Sequence, residues 1–357
     1  MFPLQAVWTL SLHTQLAIGA APAFDGSHAF FPLDGHRIVA YDLVAGTQLW
    51  IADAAATTTP TAGGDLLFVA EAGSVRALRA TDGSVAWTLE LPDAPAVPPV
   101  FDNQWLIIAT VNGEIIAVRA SDGTIVWRQS VASPAHARPA LAADRVYVPT
   151  EDGRVVALRV DTGATLWDHR LGGAVSDILA LDDRLFVGSN DNFFYCLKTE
   201  DGARDWPWRT GADIVGLPVV DDHAVYFVSL DNVLWALNRS NGNQRWKRPL
   251  PLRPTSGPLR VGQALVVPGF AAKLPAYKVD DGSPAGDIPL VGELAAPPHV
   301  IAAADGAAAM VIVTTRDIIK GATVTALTRS FEPPIVPVEP LPNPTMVTPA
   351  TRPSTDR

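Results

Sequence analysis

The sequence predicts an all-β fold, an eight-bladed β-propeller of four-stranded blades whose ring is closed by the N-terminal strand completing the last blade. Three observations predict it. A glycine-to-tryptophan step recurs, with successive tryptophans 37, 40, 40, 39 and 40 residues apart. A proline series runs in step with it. No stretch of ten or more residues shows the apolar rhythm of an amphipathic helix, whereas short runs rich in Val, Ile and aromatics recur throughout. A period near 40 with this content marks a repeat architecture.

The outer-strand frame is plainest in "AYDLVAGTQLW", residues 40–50. Gly46, Gly83, Gly123, Gly163, Gly202 and Gly242 each stand four residues before Trp50, Trp87, Trp127, Trp167, Trp206 and Trp246. Six residues before those glycines lie Ala40, Ala77, Ala117, Ala157, Cys196 and Ala236. A seventh copy, "AYKVDDGSPAG", keeps Ala276 and Gly282 but carries Gly286 in the tryptophan slot. The inner marker is Pro22, Pro60, Pro99, Pro139, Pro218, Pro258 and Pro298, with Ile178 in the one substituted position. Within a period, "PVFD", "NQWLIIAT", "GEIIAVRA" and "TIVWRQSV" read as four strands divided by Gly, Asp and Asn turns.

Eight starts need eight fourth strands, and only seven follow them. "VWTLSL" at Trp8 reads like "AWTLEL" at Trp87, so the first strand is expected to close the ring and remove its free sheet edges. The N-terminus is read as a latch rather than a leader, since it lacks a positive segment and Trp8, His13 and Gln15 interrupt its apolar run. Residues 1–330 are assigned to the propeller. Residues 331–357, with eight prolines and no periodicity, are expected to form an extended, mobile tail.

The tryptophans are expected to serve architecture. A buried indole removes about 150–250 Å² from water, an upper bound of about 4–6 kcal/mol per ring. One ring per blade, at one strand position, suits packing between blades, with a backbone carbonyl as acceptor for the indole N–H. Trp8, Trp50, Trp87, Trp127, Trp167, Trp206 and Trp246 form this docking set.

Composition narrows the function classes. With 48% hydrophobic and 18% charged residues, the 357-residue chain has ample apolar surface for a large core. A net charge of −10 opposes nucleic acid or anionic lipid as the main partner. No run of 18 apolar residues appears, so no transmembrane helix is expected. Cys196, the single cysteine, sits in a slot where other repeats have Ala and is read as a small buried hydrophobe.

Ala-x-Asp-x-x-x-Gly-x-x-x-Trp, met literally in "AYDLVAGTQLW", resembles the tryptophan-docking motif of the quinoprotein-like (PQQ-repeat) β-propellers, over about residues 7–330. The position after the glycine, usually Lys in that family, is Thr47, Ser84, Thr124, Ala164, Ala203 and Asn243, and Arg79, Arg119 and Arg159 replace the aspartate. The resemblance implies one of two classes. Quinoprotein dehydrogenases hold pyrroloquinoline quinone and Ca²⁺ in an eight-bladed ring, and many place a vicinal disulfide against the cofactor, which one cysteine cannot form. BamB-like outer-membrane assembly proteins are compact propellers that hold protein partners through face loops. Length, blade number and the lack of a recognisable catalytic set favour the second.

No cofactor or metal is therefore expected, and no enzymatic activity. Asn190, Asp191 and Asn192 lack the spacing of a Ca²⁺ loop and read as a β-turn. The paired acids Asp182/Asp183 and Asp221/Asp222 also read as turn chemistry, and the seven histidines form no short-range pair. Loops joining the fourth strand to the next blade should share a face with loops joining strands two and three. That face carries His136, Arg138, Arg170, Arg209 and Arg253, against Glu71, Glu151, Asp152, Asp191 and Asp231. The opposite face collects Asp65, Asp82, Asp102, Asp122, Asp144, Asp161 and Asp201. The five basic residues are the candidates for contact with a protein partner of a monomeric ring. By resemblance the location is the cell envelope or periplasm; with no signal peptide or lipobox in the chain as read, the cytoplasm is the alternative.

Overall fold

The computed structural model describes residues 2–302, 308–317 and 319–329. Seven four-stranded antiparallel sheets follow one another along the chain, each in sequential strand order. The third is typical: Val100–Asp102, Trp105–Ala109, Glu114–Arg119 and Ile125–Ser130. The eighth sheet joins the two ends of the chain, with Leu4–Ser11 paired to Gly321–Arg329, which pairs in turn to Ala308–Asp317. The expected all-β propeller with its N-terminal closure is the architecture observed. The tail assignment from residue 331 lies outside the described residues.

The Ala–Gly–Trp frame has a steric basis at each of its three positions. The small residue lies directly across the strand pair from the tryptophan: Ala40 faces Trp50, Ala117 faces Trp127 and Cys196 faces Trp206. Cross-strand neighbours share one sheet face, so a larger side chain there would meet the indole. Each pair is followed by the same register shift, at Ala117/Val118 for instance. The N-terminal strand repeats it, with Trp8 opposite Ala326 and a shift between Ala6 and Trp8.

The glycine belongs to the next blade. A Cβ placed on Gly163 would lie 2.6 Å from Cδ2 of Trp127, and one on Gly46 would lie 3.0 Å from Cδ2 of Trp8. Gly83, Gly123, Gly202, Gly242 and Gly282 receive the preceding blade's indole in the same way. Gly163 also has φ of 71°, which non-glycine residues rarely adopt. Conformation and close approach thus both require glycine. The indole N–H of Trp50, Trp87, Trp127, Trp167 and Trp246 donates to the carbonyl of Ala80, Ala120, Val160, Thr199 and Val279 of the neighbouring blade. Trp8 and Trp206 depart from the expectation and have no acceptor among the described residues. For Trp206 the equivalent carbonyl, Arg239 O, accepts instead from Arg184 Nη1 at 2.9 Å.

The seventh blade lacks its tryptophan because the N-terminus fills the gap. A Cβ on Gly286 would lie 2.9 Å from Cγ of Phe2. Phe2 and Leu4 pack against the cluster of Val261, Ile288 and Val311 between blades seven and eight. The latch is therefore held at both ends, by Phe2 over Gly286 and by Trp8 over Gly46. Cys196 is fully buried, and burial pushes its thiol up to about 12, so it is inert at neutral pH.

Two substitutions test this packing. Trp127→Ala removes a ring that is only 8% exposed and should cost about 3–5 kcal/mol in denaturant unfolding; a change below about 1 kcal/mol would contradict inter-blade docking. Phe2→Ala, at a half-buried site, should cost about 1–3 kcal/mol, and no loss would mean that the first strand is held by Trp8 alone.

Candidate functional site

Antiparallel order sorts the loops onto two faces. On the face formed by turns between strands one and two and between strands three and four, the acids serve their own turns. Asp82 Oδ1 accepts from Ser84 N at 2.9 Å, Asp122 Oδ1 from Thr124 N at 2.9 Å and Asp201 Oδ1 from Ala203 N at 2.9 Å. The hydrogen bonds from Ser84 hold Asp82 below the usual carboxylate range, and those from Thr124 do the same for Asp122. Turn capping accounts for these acids.

The other face surrounds one mouth of the central channel. His136 and Arg253 are exposed there in inter-blade loops, and Arg209 is exposed at the end of the strand Arg204–Arg209. None of the three side chains makes a hydrogen bond or ion pair among the described residues. Arg170 is different: Nη1 donates to Asp152 O at 2.9 Å and Nη2 pairs with Asp152 Oδ2 at 3.2 Å. It is tied to the fourth blade, as is Asp152 itself, which also pairs with Arg154 at 2.8 Å. The one acid of the "GSNDNFF" turn is likewise engaged, since Asp191 accepts from Phe193 N and from Tyr195 Oη at 2.7 Å.

Arg138 turns inward. It occupies the position just before the inner proline marker, where other blades carry Ala21, Thr59, Pro98, Leu217, Gly257 and Pro297, and the fifth blade carries Asp177. Its Nη2 crosses two blades to donate to Pro99 O and to Thr61 Oγ1, both at 2.9 Å, and Thr61 Oγ1 donates to Pro99 O at 2.6 Å. Both acceptors are neutral. The Arg138 side chain is exposed to solvent, while the protein atoms packed around it pull its pKa down and nearby Asp177 pulls it up. Burial likewise pushes the Asp177 carboxyl up, with Arg138 and His136 opposing. No ion pair joins the two. Beside Asp177 lies a cavity of about 300 Å³ lined by His136, Ser176, Asn190, Asp213 and Leu230. The Ser176 hydroxyl is buried without a partner.

The same face has an apolar sector that the sequence reading missed. Ile18, Ile319, Val291 and Phe270 are 98%, 93%, 88% and 74% exposed in loops of blades seven, eight and one. Ile18 edges a groove of about 710 Å³ floored by Leu16, Ala17, Ala295, Ala296 and Pro297, with the Glu293–Arg316 ion pair, 3.0 Å, on its rim. The signal was available: these are large apolar residues at loop positions where other repeats have polar or small ones.

The channel mouth does not fit a quinone–calcium pair. Ca²⁺ takes six to eight oxygen ligands, whereas the eight axial positions offer one carboxylate, and a guanidinium stands beside it. Among the described residues no group of three His, Cys, Asp or Glu side chains could hold a metal ion. At blades six and seven the backbones meet closely, with a Cβ on Gly216 only 1.9 Å from Gly257 N.

Asp177 generates a pH prediction. Its folded pKa is raised above its unfolded value, so the folded state holds the proton more tightly. Wild-type stability should then fall relative to Asp177→Asn as pH rises from the ordinary aspartate value, about 3.9, through the raised one, with a constant offset beyond. Urea unfolding of both proteins across that interval checks the sign; a wild type that gains stability there would show the carboxylate to be stabilised instead.

Comparison with known proteins places these features. No curated protein matches the chain. Among solved structures, BamB from Moraxella catarrhalis is similar at TM-score 0.71 and 20% identity, covering 92% of this chain and 99% of that one. A quinohemoprotein alcohol dehydrogenase from Pseudomonas putida is similar at TM-score 0.72 and 13% identity, over 96% of this chain and 78% of the enzyme. Another, from Comamonas testosteroni, gives TM-score 0.68 and 13% identity, over 91% and 76%. At these identities the likenesses establish the propeller alone. The family described as outer membrane protein assembly factor BamB matches residues 5–98, 71–180 and 152–296, and the chain belongs to that family.

Proposed function

We propose that the protein is a non-enzymatic scaffold of the cell envelope that holds protein partners through the loops of its channel-mouth face. The observation that carries this reading is the combination, on one face, of basic side chains without partners among the described residues and large apolar side chains without cover. Arg209, Arg253 and His136 supply the first, and Ile18, Ile319, Val291 and Phe270 the second. Protein interfaces combine an apolar core with a charged rim, and Arg and aromatic residues are enriched in them. Exposed apolar groups of this size rarely cluster on a monomer without a binding role. The opposite face, where acids cap their own turns, also exposes Lys198, Arg245 and Lys278, but its one large apolar side chain of comparable exposure among the described residues is Val44.

Family membership supports the envelope and assembly setting, since the family carries the description of an outer-membrane assembly factor. Likeness to quinohemoprotein alcohol dehydrogenases favours a second reading, a cofactor-binding propeller, and the donor set at the channel mouth weighs against it.

Affinity purification from envelope extracts, quantified by mass spectrometry, tests the scaffold. Arg209→Glu combined with Arg253→Glu should lower partner recovery about three- to tenfold, and Ile319→Asp should lower it at least as far. Unchanged recovery with both variants would remove this face, and a visible-range cofactor spectrum in the purified protein would favour the second reading.

A further inference from the structure

We propose that the channel mouth binds an α-amino carboxylate unit, a free amino acid or the carboxyl-terminal residue of a peptide, with Arg138 taking the carboxylate and Asp177 the adjacent N–H.

The argument begins with a pair of opposite charges that do not meet. Arg138 and Asp177 hold equivalent positions on neighbouring blades and are the only charged residues among the eight at that level. Two opposite charges on neighbouring blades attract each other. Here the guanidinium is drawn the other way, across blades three and two, by Pro99 O and Thr61 Oγ1. That contact engages Nη2 and leaves the Nε and Nη1 protons without an acceptor among the described residues. Asp177 is left with no hydrogen bond, beside the cavity of about 300 Å³ and the unpartnered Ser176 hydroxyl.

Charge balance then selects the ligand. A simple anion on Arg138 would face the Asp177 carboxylate, and a simple cation on Asp177 would face the guanidinium. A zwitterionic amino acid, with its carboxylate beside its ammonium, satisfies both without adding net charge to the channel. A peptide terminus offers the same two contacts, its amide N–H donating to Asp177, at the cost of one added negative charge. Both contacts are charge-assisted, which makes them stronger than neutral hydrogen bonds. The cavity equals the liquid volume of about ten waters, enough for the side chain of a small residue. The site stands independently of the scaffold reading, because a free amino acid needs no protein partner; a peptide terminus would be the partner's own end.

Isothermal titration of the full chain with L-alanine, acetyl-alanyl-alanine, acetyl-alanyl-alanine amide and acetate tests it. One or both α-carboxylates should bind saturably, with the amide at least about tenfold weaker. L-Alanine binding alone identifies the free amino acid as the source, and acetyl-alanyl-alanine binding alone identifies the peptide terminus. Arg138→Gln, whose amide can still donate across the channel, should lower affinity about tenfold or more, with the unfolding midpoint as a check on folding. Asp177→Asn should remove the preference for the α-amino carboxylate over acetate. The site is overturned if none of the four ligands saturates by about 20 mM, if the amide binds as well as the acid, or if Arg138→Gln leaves affinity unchanged.

Discussion

The contact on which the structure depends is an indole laid flat on the glycine of the next blade. Each tryptophan joins two sheets that share no strand pairing, and the same glycine turn and cross-strand alanine make room for it. Where the N–H also reaches the neighbouring blade's carbonyl, as Trp127 reaches Val160 O at 2.7 Å, the contact fixes orientation as well as distance. Repetition of one geometry sets the angle between blades, and that angle decides how many close a circle. The eighth blade must be completed from the far end of the chain. Phe2 over Gly286 and Trp8 over Gly46 place an aromatic ring on both sides of the seam, where the repeat by itself would leave two gaps.

This division of labour separates what was legible from what was not. The Ala–Gly–Trp frame and the proline markers were readable because each is a local demand, repeated, and independent of the rest of the chain. The latch was readable because a count came out one strand short. Phe2 was not, since no repeat carries a phenylalanine in that role; only the empty slot at Gly286 hinted that something else must occupy it. Two indoles without acceptors were equally hidden. At Trp206 the equivalent carbonyl, Arg239 O, accepts from Arg184 alone among the described residues, whereas in the fourth blade Thr199 O accepts from both Arg145 and Trp167, a difference that no frame records.

The basic face shows the same limit more sharply. Strand order places His136, Arg138, Arg170, Arg209 and Arg253 on one face, but long flexible side chains are directed by their nearest acceptor. Arg170 is captured by Asp152, from the adjacent turn of its own blade. Arg138 finds Thr61, 77 residues away in sequence, across the channel. Asp177 escaped notice because Ile178 interrupts the proline series beside it, although the spacing sets it in register with Arg138. The exposed apolar residues escaped because only composition was weighed in the loops, with no account of which loop tips stand clear of the ring.

A scaffold built by repetition can carry information only where the repetition breaks. Six of the eight axial positions are alanine, threonine, proline, leucine or glycine, which suit close packing around an axis and offer little polar chemistry. The two exceptions are adjacent and opposite in charge, and neither is a packing residue. Arg138 stands on the blade next to Asp177, yet its hydrogen bonds go the other way, to neutral oxygens of the third and second blades. A purely structural arginine would take the stronger, charged acceptor beside it. The indole-on-glycine frame is common to the blades, so it is at the axis and the loops around it, where the blades differ, that the function of this propeller has to be sought.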